Sequence, residues 1–324
     1  SEVPPTALPL YDLGWPMFRR DLRHTAVIEG AWQGYPILKW QFETGGTVES
    51  SPAVSGSLLL VGTFNNHLFA LDAETGGEVW RFPVGGLLRG SPAIYDGIVY
   101  FGADDNLFYA VEAASGKEIW RFPLGGGGEQ SSAAISDGIV YFGAFDRNVY
   151  ALDAETGAEL WRFGTGAGIL SSPAVADSTL YIGSNDGNVY ALDSNTGAEE
   201  WRFATGRGVF SSLAVDGGMI LIGSDDGNIY ALEAQNGREI WRFTTGGRVF
   251  SSPALASGAV YMGSGDGFLY ALDMMTGQLL WRTSLGGGIL ASPALTADML
   301  VVGSSNGRLY ALAPRDGAIL WEYA

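Results

Sequence analysis

Residues 210–243 read Phe-Ser-Ser-Leu-Ala-Val-Asp-Gly-Gly-Met-Ile-Leu-Ile-Gly-Ser-Asp-Asp-Gly-Asn-Ile-Tyr-Ala-Leu-Glu-Ala-Gln-Asn-Gly-Arg-Glu-Ile-Trp-Arg-Phe. Four runs of five or six residues, rich in β-branched and aromatic side chains, are separated by Asp, Gly and Asn clusters, the pattern of short strands joined by turns. The strands are labelled A to D in chain order. Asp-Gly between B and C supplies the positive φ a tight hairpin demands. It recurs as Asn185-Asp186-Gly187 and Gly265-Asp266-Gly267, and Thr-Gly turns at 75–76, 156–157, 196–197 and 276–277 join C to D. The unit is a four-stranded antiparallel meander.

The same text returns along the whole chain. Trp40, Trp80, Trp120, Trp161, Trp201, Trp241, Trp281 and Trp321 follow one another at steps of 40, with one step of 41. A single meander has two apolar faces and cannot bury both alone, so the copies must stack, and a ring of twisted sheets does so without long open edges. Innermost strands of the Ser-Ser-Pro-Ala-Val type begin at 50, 90, 131, 171, 211, 251 and 291, which predicts an all-β, seven-bladed β-propeller. Residues 36–324 form that propeller and residues 1–35 an N-terminal tether and opening segment. Trp strands number eight, one more than the blades, because Lys39-Trp-Gln-Phe42 precedes the first full repeat. This extra outer strand either joins the last blade and closes the ring or belongs to a partial eighth blade; seven blades are favoured because residues 1–35 hold no copy of strands A to C.

Composition narrows the function. The chain of 324 residues is 47% apolar and 16% charged, enough to bury a sizeable core. Its 35 acidic against 18 basic residues give a net charge of −17, which repels nucleic-acid phosphates. No run approaches the roughly 20 apolar residues of a membrane span. Without cysteine there is no disulfide, thiolate metal site or covalent haem attachment. His24 and His67, the two histidines, sit in no nucleophile motif. His24 is expected to pack or cap in the opening segment and His67 to lie solvated in a turn. The Ser-Ser pairs at the start of strand A repeat from blade to blade, as a structural hydrogen bond would. Asp72, Asp153, Asp193 and Asp273 precede the C-to-D turns and are expected to bond local amides. The Arg residues that follow the tryptophans read as a solvated band guarding the outer edges.

Two elements carry a resemblance: Ala-x-Asp-x-x-Thr-Gly-x-x-x-Trp, at 151–161 and 191–201, and the opening Trp15-Pro-Met-Phe-Arg-Arg-Asp-Leu-Arg-His-Thr25. The chain resembles the PQQ-like, quinoprotein-type repeat propellers, whose tryptophan-docking motif packs each Trp on the neighbouring blade. The resemblance spans about residues 15–321 and is functionally mixed. It covers quinone- and calcium-dependent alcohol dehydrogenases, usually eight-bladed and longer, and short non-catalytic members such as the propeller lipoprotein of the bacterial barrel-assembly machine. The enzymes imply a Ca²⁺ held by carboxylate and amide oxygens, a catalytic Asp and commonly a pair of adjacent cysteines; the cysteines are missing here. The acidic residues recur once per blade around a ring, whereas a hard cation needs about six to eight oxygens at one point.

Positions that differ between copies are free to serve a site. Before strand A the copies read Glu49, Arg89, Gln130, Leu170, Phe210, Phe250 and Leu290, a rim with a polar and an apolar side. In the B-to-C turns Phe64, Asn65 and His67 of blade one and Phe145 and Arg147 of blade three replace the plain Asp-Gly pattern, while Phe268 of blade six and Arg308 of blade seven stand out. Exposed aromatics and arginines in loops are the usual anchors of protein interfaces. The expectation is a non-catalytic, extracytoplasmic scaffold, periplasmic, secreted or surface-associated, that binds a protein partner or larger assembly. Its contact residues would be Phe64, Asn65, His67, Arg89, Phe145, Arg147, Phe210, Phe250, Phe268 and Arg308, with no cofactor and no metal. The alternative is a quinone- or sugar-binding propeller, in its catalytic form a PQQ- and calcium-dependent oxidoreductase, with ligand near Glu49, Arg89, Glu129 and Gln130.

Overall fold

The computed structural model describes residues 17–27, 37–128 and 131–324. Among them there is no helix, and the strands form seven four-stranded antiparallel sheets arranged as a β-propeller, as the repeat count requires. Blade one runs Ala53–Ser55, Leu58–Gly62, His67–Asp72 and Glu78–Pro83 as strands A to D, from the channel outward. Blades two to seven occupy residues 93–123, 134–164, 174–204, 214–244, 254–284 and 294–323.

The turns take the forms their residues dictate. Gly187, Gly227 and Gly267 lie at φ near +88°, as B-to-C hairpins require. Asp72, Asp153, Asp193 and Asp273 each accept a 2.8 Å bond from the amide three residues on. Each repeat tryptophan from Trp40 to Trp281 then lies on the C-to-D turn of the blade that follows it. Trp161 Nε1 donates to the Ser194 carbonyl at 2.9 Å, and a Cβ added to Gly197 would stand 2.6 Å from the indole. The glycine is therefore fixed twice, by φ of +70° and by the ring above it. Trp40 to Trp281 all make this indole bond.

Six apolar cores lie between consecutive blades, from one and two to six and seven. Among the described residues none joins blade seven to blade one. The seventh sheet keeps its own outer strand, Ile319–Tyr323, and residues 37–44 are in no strand. Trp40 and Phe42 nevertheless pack on Val61, Phe69 and Leu71 of blade one, with the Trp40 indole bonded to the Ala73 carbonyl at 3.0 Å.

The opening segment is a plug. Residues 17–27 cross the inner strands on one side of the channel, where the carbonyls of Leu22, Arg23, Thr25 and Ala26 accept the amides of Val175, Val215, Leu255 and Leu295. Arg19, Arg20, His24 and Ala26 take positive φ, and Asp21 ties the turn by accepting from the amides of Arg23 and Thr25.

Candidate functional site at the channel mouth

The unplugged end is built from the connections before strand A and the B-to-C turns, which hydrogen-bond to each other. Phe64 N donates to Thr47 O at 2.9 Å, Asp104 N to Leu87 O at 2.9 Å, and Gly85 N to the Asp105 carboxylate at 2.7 Å. They enclose a cavity of about 200 Å³ with Phe18 from the plug among its walls. Serine hydroxyls ring it, and they carry the hydrogen bond that their repetition predicts. The amides of Ser51, Ser91, Ser132, Ser172, Ser212 and Ser252 donate to the Oγ of Ser91, Ser132, Ser172, Ser212, Ser252 and Ser292 in turn, at 2.8–3.2 Å. Each bond stitches one blade to the next.

The rim has a charged and an apolar side. Arg89 stands 3.0 Å from Asp104 and 3.5 Å from Glu49, with its guanidinium 4.9 Å over the Phe64 ring. Opposite, Phe210 and Phe250 are half-buried with ring centroids 5.1 Å apart, and Leu290 is 54% exposed. Phe145 is 43% exposed and packs beside Gly127 and Gly168, where a Cβ would touch its ring. Phe64, Arg89, Phe145, Phe210 and Phe250 thus share one face. Glu129 and Gln130 lie outside the described residues.

The remaining loop residues point elsewhere. Asn65 bonds Thr63 and the Thr44 carbonyl, which locks the loop under the mouth. His67 is not a solvated turn residue: it opens strand C, half-buried, its Nδ1 on the Asn65 carbonyl at 2.9 Å and its ring 5.8 Å from Phe69. Phe268 likewise opens strand C, under the Arg282 guanidinium at 4.7 Å, and Arg308 pairs with Glu322 on the outer strand. Arg147 is exposed at a turn with φ of +76°.

Beneath the mouth, Arg19 is buried and donates to the carbonyls of Pro253 and Pro293, and its Nε has no partner. Burial lowers its pKa to about 9, so it stays cationic at neutral pH. His24 donates Nδ1–H to the Leu213 carbonyl at 3.0 Å, and burial pushes its pKa down to about 4. Sequence reasoning missed Phe18 as a cavity wall and Arg19 as a channel residue, because an opening rich in Pro and Leu reads as a tether; the one local signal was Asp21 spaced for an Asx turn onto Arg23 and Thr25.

Among the described residues, the donors here do not fit a calcium–quinone pair. Glu49 is the one carboxylate lining the cavity among the described residues and it faces Arg89. Those residues hold no group of three or more His, Asp or Glu side chains placed to grip a metal. The volume also falls below the roughly 300–1,000 Å³ of ordinary cofactor sites.

Compared with known proteins, the sequence family described as outer membrane protein assembly factor BamB matches residues 37–144, 107–208 and 185–324. No curated protein matches the sequence. Among solved structures, BamB from Moraxella catarrhalis is 23% identical, covering 87% of this chain and 84% of that one, with a TM-score of 0.69. The computationally designed Ika8 protein is 22% identical over 86% and 87% of the two chains, with a TM-score of 0.74. Quinohemoprotein alcohol dehydrogenase from Comamonas testosteroni is 17% identical over 97% and 73%, with a TM-score of 0.83. At such identities the likeness is one of fold, and it falls on a scaffold-type protein and an enzyme alike.

Proposed function

This chain belongs to the PQQ-repeat family described as outer membrane protein assembly factor BamB, and on that premise we propose that it is a non-catalytic scaffold. It works outside the cytoplasm and holds a protein partner on the face around its channel mouth. The observation that supports this reading is the apolar rim. Phe145 and Leu290 are 43% and 54% exposed, with half-buried Phe64, Phe210 and Phe250 beside them. Loop aromatics on a rigid frame bind at small entropic cost. Arg89, fixed between Glu49, Asp104 and Phe64, adds a held cation at the centre of that rim.

The charged groups near the cavity serve the frame. Asp105 and Asp146 accept the amides of Gly85 and Gly125 and the hydroxyls of Tyr109 and Tyr150. No helix among the described residues is long and apolar enough to cross a membrane.

The test has two arms. Envelope extract is passed over the immobilised chain and over the Phe64→Ala/Phe145→Ala double variant; the reading expects a set of partners recovered by the first and lost by the second at unchanged melting temperature. Equal recovery by both sinks this face. Calorimetric titration with pyrroloquinoline quinone and calcium, followed by dye-linked alcohol oxidation, is expected to give neither heat nor turnover; tight one-to-one binding with turnover would replace the scaffold with an oxidoreductase.

A further inference from the structure

The bore of the propeller is lined with donors that the frame does not use. One serine from each blade, Ser51 through Ser292, faces the cavity on the axis. From Ser91 onward each Oγ accepts the amide of the preceding blade's serine at 2.8–3.2 Å. That bond takes one lone pair and leaves the hydroxyl hydrogen to donate elsewhere. The carbonyls of Ser132, Ser212 and Ser252 are already taken by the hydroxyls of Ser131, Ser211 and Ser251. Among the described residues the ring hydroxyls donate to no protein acceptor. Stitching the blades explains why serines are there; it does not explain the cation set beneath them.

Strand A of blade six gives the order along the axis. Ser252 lines the cavity, the Pro253 carbonyl accepts from Arg19, and the Leu255 amide donates to Thr25 of the plug. Blade seven repeats that order with Ser292, Pro293 and Leu295. The Arg19 guanidinium therefore lies between cavity and plug, one residue below the serines, and its neighbour Phe18 forms part of the cavity wall. Arg19 is 3% exposed, bonds neutral carbonyls, makes no ion pair among the described residues and has an unpartnered Nε. A cation taken out of water without a counter-charge is costly to hold. At the solvent end Arg89 also faces the cavity, held by Glu49 and Asp104.

We propose that the bore is a binding site for a small tetrahedral oxyanion of the phosphate or sulfate class, gripped by the ring hydroxyls and balanced by Arg19. Four oxygens spread about one centre can take donors from several blades at once, which suits a ring of hydroxyls around an axis. Hydrogen bonds to an anion are also stronger than those to a neutral acceptor. A neutral sugar would leave Arg19 uncompensated. Glu49 is the one carboxylate facing the cavity among the described residues, and it sits at the rim, 53% exposed and 3.5 Å from Arg89. It opposes the ion, so its removal should strengthen binding. This site lies below the rim and does not depend on the scaffold reading.

Inorganic phosphate and sulfate, titrated calorimetrically into the full chain at fixed ionic strength, are the probes. Each is expected to bind one to one at millimolar concentration, to raise the melting temperature and to slow amide exchange at Ser132, Ser172 and Ser212. Arg19→Gln should weaken binding roughly tenfold or more. Because that variant disturbs the plug, Ser51→Ala and Glu49→Gln carry the test independently. Ser51 Oγ accepts no inter-blade amide among the described residues, so its loss should weaken binding several-fold at unchanged melting temperature. Glu49→Gln should tighten binding several-fold. No one-to-one heat with either oxyanion overturns the proposal. Binding that neither Ser51→Ala nor Glu49→Gln alters would place the ion elsewhere on the surface and overturns it too. Chloride binding as tightly as phosphate would make the bore an unselective anion trap instead of an oxyanion site.

Discussion

His24 is where a single residue makes stability depend on pH. Buried against the Leu213 carbonyl and near Arg19, it stays neutral in the native chain down to about pH 4, while the unfolded chain takes up the proton near pH 6.5. The unfolded state therefore binds more protons across that window, and stability falls as pH falls through it. A shift of this size is worth about 3 kcal/mol by pH 4. Urea unfolding of the wild type and of His24→Gln at pH 7 and pH 4 measures it; the wild type should lose about 3 kcal/mol more than the variant. Equal losses would mean that His24 is not held neutral. That His24 packs was legible in the sequence, but its place against the inner strands was not, because that depends on the channel the other blades enclose.

Among the side-chain bonds that hold one blade to the next are a serine bond from strand A at the channel and an indole bond from strand D at the outer edge. The inner bond is the more exacting, since the Ser172 amide is buried and has Ser212 Oγ at 2.8 Å as its acceptor. Ser212→Ala leaves that donor unpaired and should cost about 1–3 kcal/mol. Hydrogen exchange at Ser172 should speed up while the Trp201 indole, bonded to Ala234 at 3.0 Å, keeps its protection. Exchange rising evenly along blade four would instead mean that the bond is one small part of a diffuse interface. Strands were the most legible elements, because Asp-Gly and Thr-Gly turns set hairpin and register locally. The segment at 39–42 was read as a strand from its text alone, yet a strand exists only where a neighbour pairs with it, and residues 37–44 have none among the described residues.

Across the whole molecule, stability is a sum over blade interfaces, six of them formed by extensive apolar cores, while Trp40 and Phe42 cover part of blade one. The number of blades was legible from the period; how blade seven meets blade one was not, because periodicity says how many copies exist and not whether the last meets the first. The mouth was legible in part: variation between copies pointed to Phe64, Arg89, Phe145, Phe210 and Phe250, which share a face, and equally to Phe268 and Arg308, which turn toward the outer strand. Sequence variation marks positions free of the frame and is blind to side-chain direction. Equivalent residues are also unequal between blades six and seven. Leu269 and Leu309 occupy the same place in successive repeats, yet Leu269 is fully buried and Leu309 is 40% exposed. Leu269→Ala should cost about 2–5 kcal/mol because it opens a cavity between blades six and seven. Leu309→Ala should cost under about 1 kcal/mol because water already reaches it. Chemical unfolding of the two variants side by side measures the difference. Similar large losses would mean that Leu309 is covered in solution; a loss confined to Leu269 would mean that water reaches Leu309 there, as its exposure implies.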